Sequence, residues 1–238
     1  MCYNSFVLFR GLETLFSDPL AFIRLLVATA VALAVAIAVH EASHALAADR
    51  LGDPTPRRLG RLTLNPLRHL DPIGTILLFV VGFGWGKPVP VDSFYFRGNP
   101  VSGMAKVALA GPLAGLITAG LVSVLLKLVD PTLVDDLGHL LRGRGSFINV
   151  LLLYTVLYNI VLAVFNLIPM PPLDGFRILL GILPSPAMVR VARWENYGPS
   201  LLIMVVLLDS FAGAGILGRV LGPAVNFFSQ LYLGRAIL

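Results

Sequence analysis

Long apolar runs, rather than alternating or amphipathic stretches, set the pattern of this chain. The first extends from Leu20 to Val39 and is interrupted only by Arg24 and Thr29, about the length a helix needs to cross a bilayer. Asp18-Pro19 in front of it predicts an N-cap followed by proline at the first helical position, and the helix is expected to continue to about Ala48. Further spans are predicted from Val101 to Val129 and from Phe147 to Pro169. Two more apolar segments, about Pro199 to Leu217 and Gly218 to Leu233, read as a closing hairpin. Ile73 to Gly84 is only about half the length of a span and predicts a re-entrant or interfacial element. Between Gly84 and Phe96, Pro88 and Pro90 oppose helix while Val89 and Val91 favour a strand. The expected fold is an all-α polytopic membrane protein with about five to six transmembrane helices. A re-entrant or β-strand element lies between its first and second core spans.

Composition agrees. The chain is 57% hydrophobic and 13% charged with a mean hydropathy of +0.85, against roughly a quarter charged residues in soluble domains. A net charge of +5 would suggest nucleic acid in a soluble protein. Here Arg50, Arg57, Arg58, Arg61 and Arg68 follow the first span and are better explained by the positive-inside rule, which places them in the cytoplasm; no nucleic-acid motif is present. The stretch from Asp130 to Arg144 carries three acids against two arginines and is expected outside. The single cysteine, Cys2, can form no internal disulfide and offers no thiolate cluster for a metal. No cleavage site for a removable signal peptide is evident near the amino terminus, so the first span is expected to act as its own insertion signal. Without repeats or linkers, residues 1–238 read as a single integral-membrane domain, with a core at about 20–180 and the hairpin at about 199–233.

One string changes the picture from architecture to chemistry. His40-Glu41-Ala42-Ser43-His44 places two imidazoles four residues apart, on one face of a helix, where they can hold one metal ion. Glu41 lies about 100° round the helix, placed to take a proton from water without being a ligand. A catalytic zinc usually takes three protein ligands. The candidate for the third is Asp174 in Asn166-Leu167-Ile168-Pro169-Met170-Pro171-Pro172-Leu173-Asp174-Gly175, where three prolines oppose a continuous helix and an irregular segment suits a wet site. The same Asp174 would also serve as the cap of a helix starting near Phe176, and local sequence leaves both roles open. Thr155, Asn159 and Asn166 fall within about 40° of one face and are expected to face protein or water. Gly111 and Gly115 permit close approach of another helix, with Pro112 between them as a source of a kink. His69 and Asp71 either support a site or cap turns, and His139 is expected to be solvated.

HExxH in the first core span together with Asn-x-x-Pro-x-Pro-x-x-Asp-Gly in a later one resembles the site-2 protease family of intramembrane zinc metalloproteases. Asn65-Pro66-Leu67-Arg68-His69-Leu70-Asp71-Pro72-Ile73-Gly74 and Gly84-Trp85-Gly86-Lys87-Pro88-Val89-Pro90-Val91 resemble its compact branch, without PDZ or C-terminal regulatory domains. The likeness covers most of residues 20 to 180. It implies one zinc per chain held by His40, His44 and Asp174, water activation by Glu41, and a role for Asn166 in holding the scissile peptide or its oxyanion; an interhelical hydrogen bond is the other role open to Asn166. It further implies a multi-pass protein of the cell membrane whose site opens towards the cytoplasm and whose substrates are transmembrane proteins, cut in regulated intramembrane proteolysis. The segment from Gly84 to Phe96 would then contact substrate, or else form an interfacial loop anchored by Trp85, Phe94, Tyr95 and Phe96. A binding or assembly protein that keeps the fold without cutting is the main alternative, and the presence of Glu41 beside the full ligand set argues against it. A metal transporter would need further ionisable groups across the membrane, which the run from Leu25 to Val39 lacks.

Overall fold

The computed structural model describes residues 15–81 and 84–237, so expectations about the amino terminus fall outside the described residues. Helix α1 (Pro19–Leu51) begins as its sequence predicts: Asp18 accepts a hydrogen bond from the Ala21 amide at 3.0 Å and Pro19 occupies the first turn. It runs straight through the histidine motif and ends at Gly52, in the left-handed conformation at φ 113°. Helix α2 (Pro72–Val81) has only 10 residues. Helix α3 (Pro100–Val129) is capped by Asn99, whose side chain accepts from the Val101 and Ser102 amides. The polar stretch after it contains a short helix, α4 (Leu133–Leu140), with Leu137 and Leu140 buried, where the sequence predicts only a loop. Then follow α5 (Phe147–Asn166), α6 (Asp174–Ile182), α7 (Ser185–Ala192), α8 (Gly198–Ala212) and α9 (Ile216–Leu233).

Helices α1, α3 and α5 pack mutually and form the centre of the molecule, with α6 against α3 and α9 against α5. These three are long and apolar enough to cross a membrane. Helix α8, at 15 residues, is shorter than the roughly 20 a span needs. The burial pattern is that of a membrane protein. On α1 the small residues Ala21, Ala28, Ala32, Ala36, Ala45 and Ala48 face inward, while Leu20, Ile23, Leu26, Val27, Val31 and Val35 are exposed. Water would make such an outer face costly. In lipid, where large apolar side chains gain nothing by hiding, small residues let the backbones approach and contribute through close packing.

Two expectations gain detail. Among the described residues no β-sheet forms, and the segment after Gly84 contributes a single antiparallel bridge between Leu70 and Gly86. Pro88 and Pro90 carry no N–H, so a hydrogen-bonded ladder cannot be built on that side. The turn of the carboxy-terminal hairpin, which the apolar pattern leaves open, lies at Gly213–Gly215, with Gly213 and Gly215 both left-handed at φ 61° and 62°. That conformation is nearly free only for glycine.

Candidate metal centre

Seven residues before its end, α1 turns His44 inward, with His40 one turn earlier on the same face, and both are buried. Their Nε2 atoms lie 3.0 Å apart. Asp174 is the first residue of α6, brought there by the proline-rich bend after α5. Its Oδ2 is 3.1 Å from Nε2 of His40 and 3.2 Å from Nε2 of His44. The N-cap of α6 is Leu173, so the side chain of Asp174 is turned towards the histidines and does no capping.

The triangle of ligand atoms has the size a metal requires. Metal–nitrogen and metal–oxygen bonds of about 2.0–2.2 Å in a tetrahedron put neighbouring ligand atoms about 3.3 Å apart. Three such atoms, from two elements, all lie within 4.8 Å of one another. The immediate surroundings also favour a cation. Nδ1 of His44 donates to the Val107 carbonyl at 2.7 Å, which leaves Nε2 with its lone pair free for coordination. Oδ2 of Asp174 is buried with no hydrogen bond satisfying it, an arrangement that a shared cation at the centre of the triangle would satisfy. The donor set, two imidazoles and a carboxylate, is one that suits zinc.

Two glycines make the approach possible. A Cβ on Gly111 of α3 would stand 2.5 Å from Cε1 and Nε2 of His44 and 2.8 Å from Cε1 of His40. Gly111 is therefore the floor of the site, and the small-residue pair with Gly115 serves more than helix packing. A Cβ on Gly175 would lie 2.3 Å from the Leu167 carbonyl oxygen. Only glycine after Asp174 lets α6 start directly against the end of α5.

Glu41 is half-buried, and its Oε2 accepts a hydrogen bond from the Val89 amide at 3.1 Å. Asn166, at the last turn of α5, donates from Nδ2 to the Leu162 carbonyl of its own helix at 3.0 Å, in place of an interhelical hydrogen bond. Thr155 and Asn159 on the same face are buried, as expected. His69 is buried with Nε2 against the Thr63 carbonyl, and Asp71 accepts from the Gly74 amide at the start of α2. Both hold turns, outside the metal set. His139 is exposed on α4. The Val107 carbonyl and the Val89 amide were not legible beforehand, because a backbone group carries no residue signature.

Comparison with known proteins agrees with this geometry. The model for peptidase family M50 matches residues 28–207. The chain is 36% identical over 214 residues to the "Putative zinc metalloprotease YwhC" of Bacillus subtilis, covering 90% of this chain and 93% of that one. It is 30% identical over 222 residues to the "Putative zinc metalloprotease Rip2" of Mycolicibacterium smegmatis, covering 90% and 75%. The corresponding figures for the Mycobacterium tuberculosis H37Rv protein of the same name are 28% over 199 residues, with 82% and 73% covered. No solved structure matches significantly. A buried His-His-Asp triangle beside a glutamate, within a match that spans most of the chain, has one explanation: the chain belongs to peptidase family M50, the site-2 protease family of zinc metalloproteases.

Proposed function

We propose that this protein is an intramembrane zinc endopeptidase that hydrolyses peptide bonds within or next to transmembrane segments of other membrane proteins, in regulated intramembrane proteolysis. The observation that carries the reading is the 3.0–3.2 Å triangle of His40, His44 and Asp174 set within helices whose outer faces are apolar. Zinc, when bound there, lowers the pKa of water towards about 7 and polarises the scissile carbonyl. Glu41 takes the proton of the attacking water and delivers it to the leaving nitrogen. The Asn166 amide, released from the Leu162 carbonyl by a rotation of its side chain, donates to the oxygen on which charge develops, a contact worth about 3 kcal/mol in other hydrolases. Val107 keeps His44 in the tautomer that coordinates.

The protein sits as a multi-pass protein in the cell membrane, with the arginines that follow α1 in the cytoplasm and the site opening on that side. Substrate must be extended before it can be cut, and the irregular stretch from Gly84 to Phe96 is the surface on which we place it. The test is cleavage of a panel of single-span membrane proteins by the detergent-purified enzyme, with Glu41→Gln as the matched control. Cleavage by the wild type alone is expected, with equal zinc in both. Cleavage by both forms, or by neither when zinc is bound, overturns the assignment and favours a protein that binds membrane segments without cutting them.

A further inference from the structure

Arg61 lies ten residues beyond the end of α1, after a single helical turn at Thr55–Arg58, and in sequence is one of a row of arginines expected in the cytoplasm. Its side chain is nevertheless only 5% exposed. Burying a guanidinium is costly, and this one donates to three backbone carbonyls, those of Arg68, Lys87 and Pro88. Burial pushes its pKa below the usual value, and the negative charge of Glu41 acts in the opposite direction. A cation kept in such a place, where neutral residues would pack at less cost, needs a reason.

The three carbonyls belong to one small assembly. The Lys87 amide donates to the His69 carbonyl at 2.7 Å, and Leu70 bridges to Gly86, so residues 68–70 and 86–87 are tied together. Beyond them, Pro88 C=O and Val89 N–H are the two ends of one planar peptide unit and point in opposite directions when it is trans. Arg61 holds the first end. The second donates to Oε2 of Glu41 at 3.1 Å. Pro88 and Pro90 have no N–H, so Val89 is the one amide between them that can reach the carboxylate.

We propose that Arg61 is a positioning residue for Glu41: by gripping the Lys87 and Pro88 carbonyls it orients the peptide unit whose Val89 N–H fixes the carboxylate of the general base. The planar fork of arginine can serve several carbonyls at once, which the single ammonium of lysine cannot do in the same geometry. The activity arm of the proposal rests on the protease reading above, whereas the contact itself can be tested without substrate.

The experiment compares zinc-loaded, full-length wild type with Arg61→Lys and Arg61→Gln by hydrogen–deuterium exchange of the peptide around Val89, by zinc content and by steady-state cleavage. Glu41→Ala is included in the exchange measurement. Expected are about tenfold or faster exchange at Val89 in all three variants and zinc equal to wild type. In the two Arg61 variants kcat falls about tenfold or more, with KM within about twofold. Unchanged exchange at Val89 in the Arg61 variants overturns the proposal. So does loss of zinc or of protection throughout α1, which would make Arg61 a general support of the fold. So does a rise in KM with kcat preserved, which would mean that the segment acts on substrate alone. Absence of cleavage by the wild type would strike the protease reading and leave the exchange result standing.

Discussion

Substituting Gly111 by alanine adds one methyl group where the two metal-binding rings meet α3. The added carbon would lie 2.5 Å from His44 and 2.8 Å from His40, whereas carbon atoms in contact sit about 3.5–4.0 Å apart. Both rings, or the whole of α3, must retreat by about 1 Å. Metal–ligand distances tolerate about 0.2 Å, so the rings cannot move independently and keep the ion. Overpacking of this size costs about 1–3 kcal/mol. If it falls entirely on metal binding, zinc affinity weakens by about 5- to 150-fold. The assay is competition for zinc against a chelator of known affinity in detergent, with Gly115→Ala one turn away as control. There the new carbon would meet the Asn159 carbonyl oxygen at 3.3 Å and Cβ of Ala163 at 3.6 Å, which small shifts relieve, and affinity should stay within about twofold of wild type. Wild-type affinity in Gly111→Ala, or equal losses in both variants, would refute the placement of Gly111 against the imidazoles.

Other substitutions test the remaining sides of the centre. Asp174→Ala should lower zinc affinity at least as far as Gly111→Ala, and undiminished zinc would remove Asp174 from the ligand set. Gly175→Ala should reproduce that loss without touching a ligand, since its Cβ would stand 2.3 Å from the Leu167 carbonyl oxygen and 2.4 Å from that of Ile168; metal content measured after gel filtration decides. Stripping the metal with a chelator should lower the thermal midpoint in detergent, because zinc at a thousandfold its Kd stabilises by about 4 kcal/mol. Added zinc should restore it, and a midpoint indifferent to zinc would show that the metal does not join α1 to α6.

The three long apolar helices and the histidine pair were legible because each depends on spacing within one helix. The apolar length from Leu20 to Val39 and the offset of His40 from His44 are local quantities. Asp174 stood out through the prolines around it, but its role needed the fold to place it 130 or so residues from its partners in sequence and about 3 Å from them in space. The hairpin turn stayed open because Gly213, Gly215 and Gly218 are equivalent in a pattern of apolar residues, and only backbone geometry selects the first two. Arg61 reads as one more cytoplasmic charge beside Arg57 and Arg58, which are exposed. Its burial arises from carbonyls of residues 68, 87 and 88, none of which announces itself in composition. Between Gly84 and Phe96 the described residues form only the Leu70–Gly86 bridge, and Pro88 and Pro90, visible in the sequence, withhold two donors that a ladder within the chain would use.

The division of the ligands between α1 and the start of α6 also orders events in time. Translation proceeds at about 5–20 residues per second, so Asp174 leaves the ribosome roughly 7 to 26 seconds after His44. During that interval the apolar helices α3 and α5 are synthesised while the histidine pair still lacks its carboxylate. A newborn chain thus brings its three candidate metal ligands together only after its own central helices have been synthesised.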